Sequence, residues 1–283
     1  MQKIAVLTDS GSDLTLEQCK ENSIEFLPFR VIYSYGEFED AVNLTPEELY
    51  KSLEKGNEIP TTSLPSPAKI EELLNKLEAE GYTHVIAVTI SCELSGTSNA
   101  VRLALEDHPN LTSYVFDTKI LSMAEGALAL NAAEMVREGK TFEEIVEELP
   151  KLRKKTYGYY TLNTLEYLKR GGRIGKVAGT IGEILNLKPI VSADDQGFFY
   201  TYAKVRGRKQ SINRIYKIAK EHLEKGRCKI WVLDGGSSKE EFDYLYKMIS
   251  ELDNIESIAP AIIGPALALN TGPGLLGLIV QEV

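Results

Sequence analysis

Four stretches of this chain combine residue types at spacings that chemistry could use. Residues 164–177, TLEYLKRGGRIGKV, crowd Lys169, Arg170, Arg173 and Lys176 around paired glycines. A phosphate-binding P-loop needs GxxxxGK followed by Ser or Thr, so that backbone amides ring the phosphates and the hydroxyl meets magnesium. GGRIGKV has one residue too few between its glycines and Val177 where the hydroxyl should stand. A nucleotide loop is excluded, and a docking surface for a partner or an anionic membrane remains as a use for the basic knot.

Residues 89–100, TISCELSGTSNA, put Ser91 and Ser95 between a predicted strand and a predicted helix. Ligands of open α/β sheets bind at this carboxyl edge. The stretch is not a GxSxG elbow, because Glu93 replaces the first glycine, and no nearby histidine offers a base. Cys92 is a poor thiolate, since Glu93 beside it raises its pKa; otherwise it is an inert buried thiol. The loop does suit anion capture: the Ser95 and Thr97 hydroxyls and the amides around Gly96 face outward from a helix N-terminus. The alternative is that Ser95 merely caps that helix. In residues 60–67, PTTSLPSP, prolines stiffen a loop that carries Thr61, Thr62 and Ser63. In residues 8–13, TDSGSD, Asp9 and Asp13 are either an acid-base pair, as in a small-molecule phosphotransferase or hydrolase, or turn and cap residues.

The bulk properties narrow the field. The chain has 283 residues, a formal charge of -9, 26% charged and 43% hydrophobic residues, which fits an ordinary globular protein of two domains. So acidic a balance argues against general nucleic-acid binding. Cys19, Cys92 and Cys228 stand far apart without a CxxC, as expected of free thiols in a reducing cytoplasm, and the N-terminal residues lack the apolar run of a signal peptide. His84, His108 and His222 are isolated in sequence, so no metal site is expected and each should be a surface or capping residue. Residues 258–280 are uncharged and long enough to cross a bilayer. Pro260, Pro265 and Pro273, with four glycines, break them, and two buried strands joined by a glycine-proline loop account for them better.

These residues need a scaffold. Short apolar runs alternate with amphipathic segments through the first half: KIAVLT, EFLPFRVIY, HVIAVTI and LTSYVFD read as strands between helices. Thr45-Pro46 and Ser66-Pro67 mark helix starts. Such alternation predicts a Rossmann-like, doubly wound parallel sheet. After about residue 156, YGYYTL, KPIVSA and GFFYTYAKV are β-rich and closely spaced, which predicts antiparallel pairing. The expected architecture is α/β in two domains, 1–155 Rossmann-like and 156–283 with a mixed sheet.

Taken together, TDSGSDL (8–14), TSLPSP (62–67), LSGT (94–97), TLEYLKRGGRIG (164–175), LNLKPI (185–190), VRGRK (205–209) and NTGPGLLG (270–277) resemble the motifs of the DegV family, in order along nearly the whole chain. The resemblance implies a bacterial, cytoplasmic fatty-acid-binding protein without catalysis or cofactor of its own, active in lipid transport and phospholipid metabolism. It implies a long-chain fatty acid such as palmitate in an apolar tunnel, with its carboxylate on Thr62 and Ser95 and Ser63, Gly96, Thr97 and Asn270 nearby. It also implies a separate fatty acid kinase subunit that phosphorylates the bound acid to an acyl-phosphate. The knot residues Lys169, Arg170, Arg173 and Lys176, with Arg206, Arg208 and Lys209, are the candidate docking face. At residue 270 the family usually has histidine; Asn270 keeps hydrogen bonding but cannot carry charge.

Overall fold

The structure is a computed structural model and describes residues 2–55, 58–180 and 187–283. Of LNLKPI, residues 185 and 186 lie outside the described residues.

The chain opens with β1 (Ile4–Asp9), a 3-10 turn over Ser10–Ser12, α1 (Leu16–Glu21) and β2 (Ile24–Leu27). The run predicted as one strand, EFLPFRVIY, is two. Pro28 lacks the amide that a continuing ladder needs, and after it β3 (Arg30–Tyr33) pairs in a different sheet with β4 (Gly36–Glu39). Next come α2 (Pro46–Glu54) and β5 (Thr61–Ser63), a strand where a loop was expected; it pairs antiparallel with β3, Thr62 opposite Val31. Then follow α3 (Pro67–Ala79), β6 (His84–Thr89), α4 (Thr97–Leu105), β7 (Thr112–Asp117), α5 (Met123–Arg137) and α6 (Phe142–Lys154). The predicted starts of α2 and α3 hold: Thr45 forms a capping box with Glu48, and Ser66 accepts from the Lys69 N–H. The first sheet is parallel in the order β2-β1-β6-β7. β1 and β6 are buried from their second residue on, the signature of strands covered on both faces.

Pairing turns antiparallel at β8 (Thr156–Thr161). After α7 (Glu166–Arg170) come β9 (Ile190–Ala193), β10 (Phe199–Ala203), α8 (Arg208–Leu223), β11 (Cys228–Gly235), α9 (Lys239–Ser250), β12 (Ile255–Ile262), α10 (Pro265–Thr271) and β13 (Leu275–Glu282). The mixed sheet runs β10-β9-β8-β13-β11-β12. The reading of residues 258–280 needs correction. β12 is a largely exposed edge strand, and the connection to buried β13 is the helix α10. Proline at its first position and free choice of helix formers, ALAL, make it a helix despite the flanking glycines. Among the described residues no helix is long and apolar enough to cross a membrane.

One apolar cluster joins the sheets, running from Val6 and Val88 through Leu121 and Leu128 to Leu233, Leu275 and Ile279. Smaller clusters lie under α8 and α9 and under α3 and α4. The seam between the parallel sheet, the β4-β3-β5 sheet and α10 is where the pocket forms.

Candidate functional site

The seam holds a cavity of about 230 Å³ whose lining includes Thr62, Ser63, Ser95, Gly96, Arg173 and Asn270. Its floor is apolar, formed among others by Phe29, Ile90, Leu121, Leu168, Phe199 and Leu267. Leu121, Leu168, Phe199, Leu267 and Thr271 also line a second chamber of about 20 Å³, which reaches Tyr160, Val191 and Leu275 deep in the mixed sheet. Among the described residues neither Asp, Glu nor Lys contributes to either wall.

The two hydroxyls come from different elements. Thr62 projects from β5, a strand short enough that its neighbour Ser63 meets Arg30: the guanidinium donates to Ser63 Oγ at 3.0 Å and to the Leu64 carbonyl at 3.1 Å. Ser95 precedes α4, whose N-cap is Gly96 without any side-chain cap. Ser95 is therefore not the capping residue, and its hydroxyl meets Thr97 Oγ1 at 2.8 Å. Thr97 is fully buried behind it and acts on the pocket only through Ser95. A Cβ built on Gly96 would sit 3.7 Å from Leu64 Cδ2, so the LSGT and TSLPS loops lie against each other.

The basic knot divides. Arg173 lines the pocket, with Nε donating to the Leu94 carbonyl at 3.2 Å and Nη1 to the Gly171 carbonyl at 2.6 Å. A guanidinium at the rim is the site residue that sequence reasoning placed elsewhere. Lys176 pairs with Asp194 at 2.5 Å, and Arg208 with Glu241 at 2.8 Å. Lys169, Arg170, Arg206 and Lys209 are exposed. The glycines let the knot approach α10: a side chain on Gly171 would run into Asn270 Oδ1. Asn270 lines the pocket and donates from Nδ2 to the Ala266 carbonyl at 3.0 Å.

Asp9 and Asp13 are not in the lining. Asp9 is fully buried and accepts from the Gly11 and Ile90 amides at 2.8 and 3.0 Å. Asp13 accepts from the Gly264 amide at 2.8 Å and from the Ser122 hydroxyl. Burial pushes Asp9 up to about 7 and Asp13 up to about 8, the charge of Asp40 adding to each. Burial likewise lifts Asp40 to about 6 and holds Glu125 well above the usual carboxylate range. Asp9, Asp13 and Asp40 are committed to backbone amides and Glu125 to the Thr8 hydroxyl rather than to the cavity, which favours turn and cap roles for Asp9 and Asp13. At Cys92, burial and then Asp117, not Glu93, hold the thiol above its ordinary value, although Lys119 Nζ donates to it at 3.2 Å.

Two histidines correct the expectation of surface residues. His108 is buried between Glu78 and Glu71 at 2.9 and 3.2 Å, and His222 between Glu282 and Tyr159 at 2.8 and 2.9 Å. Their partners lie 30 or more residues away, where spacing rules cannot reach. Among the described residues no group of three His, Cys, Asp or Glu side chains is placed to hold a metal ion.

Fold and pocket define an α/β protein with two main sheets and an amphipathic cavity in its seam. The chain belongs to the DegV family: the family model, described as an uncharacterised protein of that family, matches residues 3–283. A DegV domain-containing protein of Clostridium perfringens is 48% identical over 282 residues, covering 100% of this chain and 99% of the relative. A DegV family protein of Thermus thermophilus, described for its fatty acid binding, superposes with a TM-score of 0.92 at 30% identity and full coverage of both chains. A stearic-acid-binding protein of Eubacterium ventriosum gives 0.87 at 29% identity, covering 100% and 98%.

Proposed function

We propose that this protein binds a long-chain fatty acid, with its carboxylate on Thr62 and Ser95 and its tail in the apolar chambers behind them. The observation that carries the reading is that Thr62, from β5, and Ser95, from the loop before α4, line one largely apolar cavity. The fatty-acid-binding descriptions of solved relatives with the same fold support it. Neutral donors, the positive end of α4 and the Arg173 guanidinium receive the negative head. Arg173, assigned by sequence to the docking face, brings a charge to the pocket instead, but part of its donor set is already engaged by the Leu94 and Gly171 carbonyls. The tail supplies most of the affinity, about 0.8 kcal/mol per buried methylene. At about 230 Å³ the main chamber falls below the roughly 300 Å³ at which small-molecule pockets begin. A long chain therefore enters by turning Phe199 and Leu267 aside and joining the two chambers.

The bound head, lying at the rim, is presented to a separate kinase subunit that phosphorylates it. Lys169, Arg170 and Arg206, with Lys209, form the docking face for that partner or for an anionic membrane surface. The carrier performs no chemistry itself, in keeping with acids that are tied to backbone.

Native mass spectrometry of protein purified from cells, followed by lipid extraction, tests the reading. A stoichiometric long-chain acid is the expected result. Protein that neither carries such an acid nor takes one up would end it.

A further inference from the structure

The TDSGSD segment braces several parts of the pocket wall without entering the lining. Ser10 Oγ accepts from the Phe29 amide at 2.9 Å, and Asp9 accepts from the Ile90 amide. Asp13 takes the hydroxyl of Ser122, the residue after Leu121. Phe29, Ile90 and Leu121 all line the cavity. A further wall is α10, and it is held in an unusual way. Its N-cap is Gly264, which has no side chain to cap with. Asp13, 251 residues earlier, accepts the Gly264 amide, and Asp40, 226 residues earlier, accepts the Ala266 amide at 3.2 Å. A helix start that lacks its own cap leaves amides unsatisfied. Here two carboxyl groups from the other half of the chain satisfy them.

We propose that Asp13 and Asp40 are positioning residues for the acyl pocket, pinning the first turn of α10 so that Ala266, Leu267, Asn270 and Thr271 keep their places in its wall. The far end of α10 has its own anchors: its cap glycine, Gly272, lies against the Tyr167 ring, and just beyond it the Gly274 amide donates to the Gly235 carbonyl of β11 at 2.9 Å. Removing the pins therefore lets the helix pivot instead of detaching. Asp40 is buried and Asp13 partly so, and the bond each makes to α10 is to a backbone amide that no residue of the helix itself can satisfy.

This inference rests on the acyl reading of the pocket, and its test separates the two. Asp13→Ala, Asp40→Ala and the matching Asn variants are titrated with cis-parinaric acid, and backbone hydrogen exchange is measured at Gly264 and Ala266. The Ala variants should bind about tenfold more weakly, chiefly through faster release, with exchange accelerated at those two amides while β11 stays protected. The Asn variants keep an acceptor oxygen and should stay within about threefold of the unmodified protein. Ala variants with undiminished affinity, or Asn variants as impaired as Ala, would overturn the proposal. If the Ala variants fail to fold, the decision passes to the Asn variants and to the unmodified protein. In the latter, unprotected Gly264 and Ala266 amides would equally refute the pinning. Failure of the unmodified protein to take up the probe would instead remove the acyl reading, leaving the pins to be judged by exchange alone.

Discussion

The rim and the hub of this pocket use polar groups in opposite ways. At the rim, Thr62 and Ser95 present hydroxyls to a cavity, and the bond they share with the protein is slight: Ser95 meets only Thr97. In the hub, Asp9 and Asp40 are buried, Asp13 partly so, and each accepts a backbone amide. Carboxylates in a cleft invite a catalytic reading, yet here the stronger acids build walls and residues with the weaker hydroxyls line the cavity. The availability of a polar group, more than its reactivity, marks the site.

The contrast can be broken most sharply at the rim. Replacing both Thr62 and Ser95 by Ala should weaken fatty acid binding about a hundredfold, about tenfold for each hydrogen bond to a charged head, in a fluorescence titration. Stability should move by less than about 0.5 kcal/mol, because neither residue supports the core. A comparable loss of stability would erase the distinction between rim and hub.

The hub should respond the other way. Asp9, Asp13 and Glu125 have folded values above their ordinary ones. Their contribution is therefore fully present below about pH 4 and is lost as pH rises toward about 8. Carboxyls held low, such as Asp117 and Asp194, act in the opposite sense but only in the acid range. Urea unfolding should accordingly show a more stable protein at pH 5 than at pH 8. Glu125→Gln, which removes a buried acid whose Oε2 has no partner, should flatten that slope and raise Tm at pH 8 by about 2–4 °C while leaving fatty acid affinity unchanged. A steeper slope in the variant would contradict the account. On stability and affinity the smallest effect belongs to the exposed face: Lys169→Glu with Arg170→Glu should alter neither Tm nor fatty acid affinity, yet abolish capture of the proposed kinase subunit in a pull-down. Undiminished capture would dismiss that face.

Much of this was legible in residue order. Strand-helix alternation specified the parallel sheet, and Thr45 and Ser66 gave helix starts to the residue, because caps are local signals. Hydroxyls clustered beside stiffening prolines and a helix start drew attention to both segments, but only the family resemblance picks Thr62 and Ser95 out of them. Arg173 was read with its neighbours as part of a basic surface, since nothing in KRGGRIG tells which cation turns inward; only the Leu94 carbonyl decides it. The strand at Thr61–Ser63 escaped because three residues carry no period, and its partner β3 is distant in sequence. The apolar floor is likewise assembled from β6, α7, β10 and α10, and no local pattern can assign such residues to one chamber.

The reach of Asp13 to Gly264 has a consequence for how the protein comes into being. With 251 residues between the two partners, a ribosome adding about 5–20 residues per second needs roughly 10–50 s to supply the second after the first. Once β7 has been made the parallel sheet can form, and for the rest of that interval it lacks the wall that completes its cavity. Any occupant of the finished cavity must therefore arrive late, and until then the nascent chain carries an open apolar seam of the kind that chaperones shield.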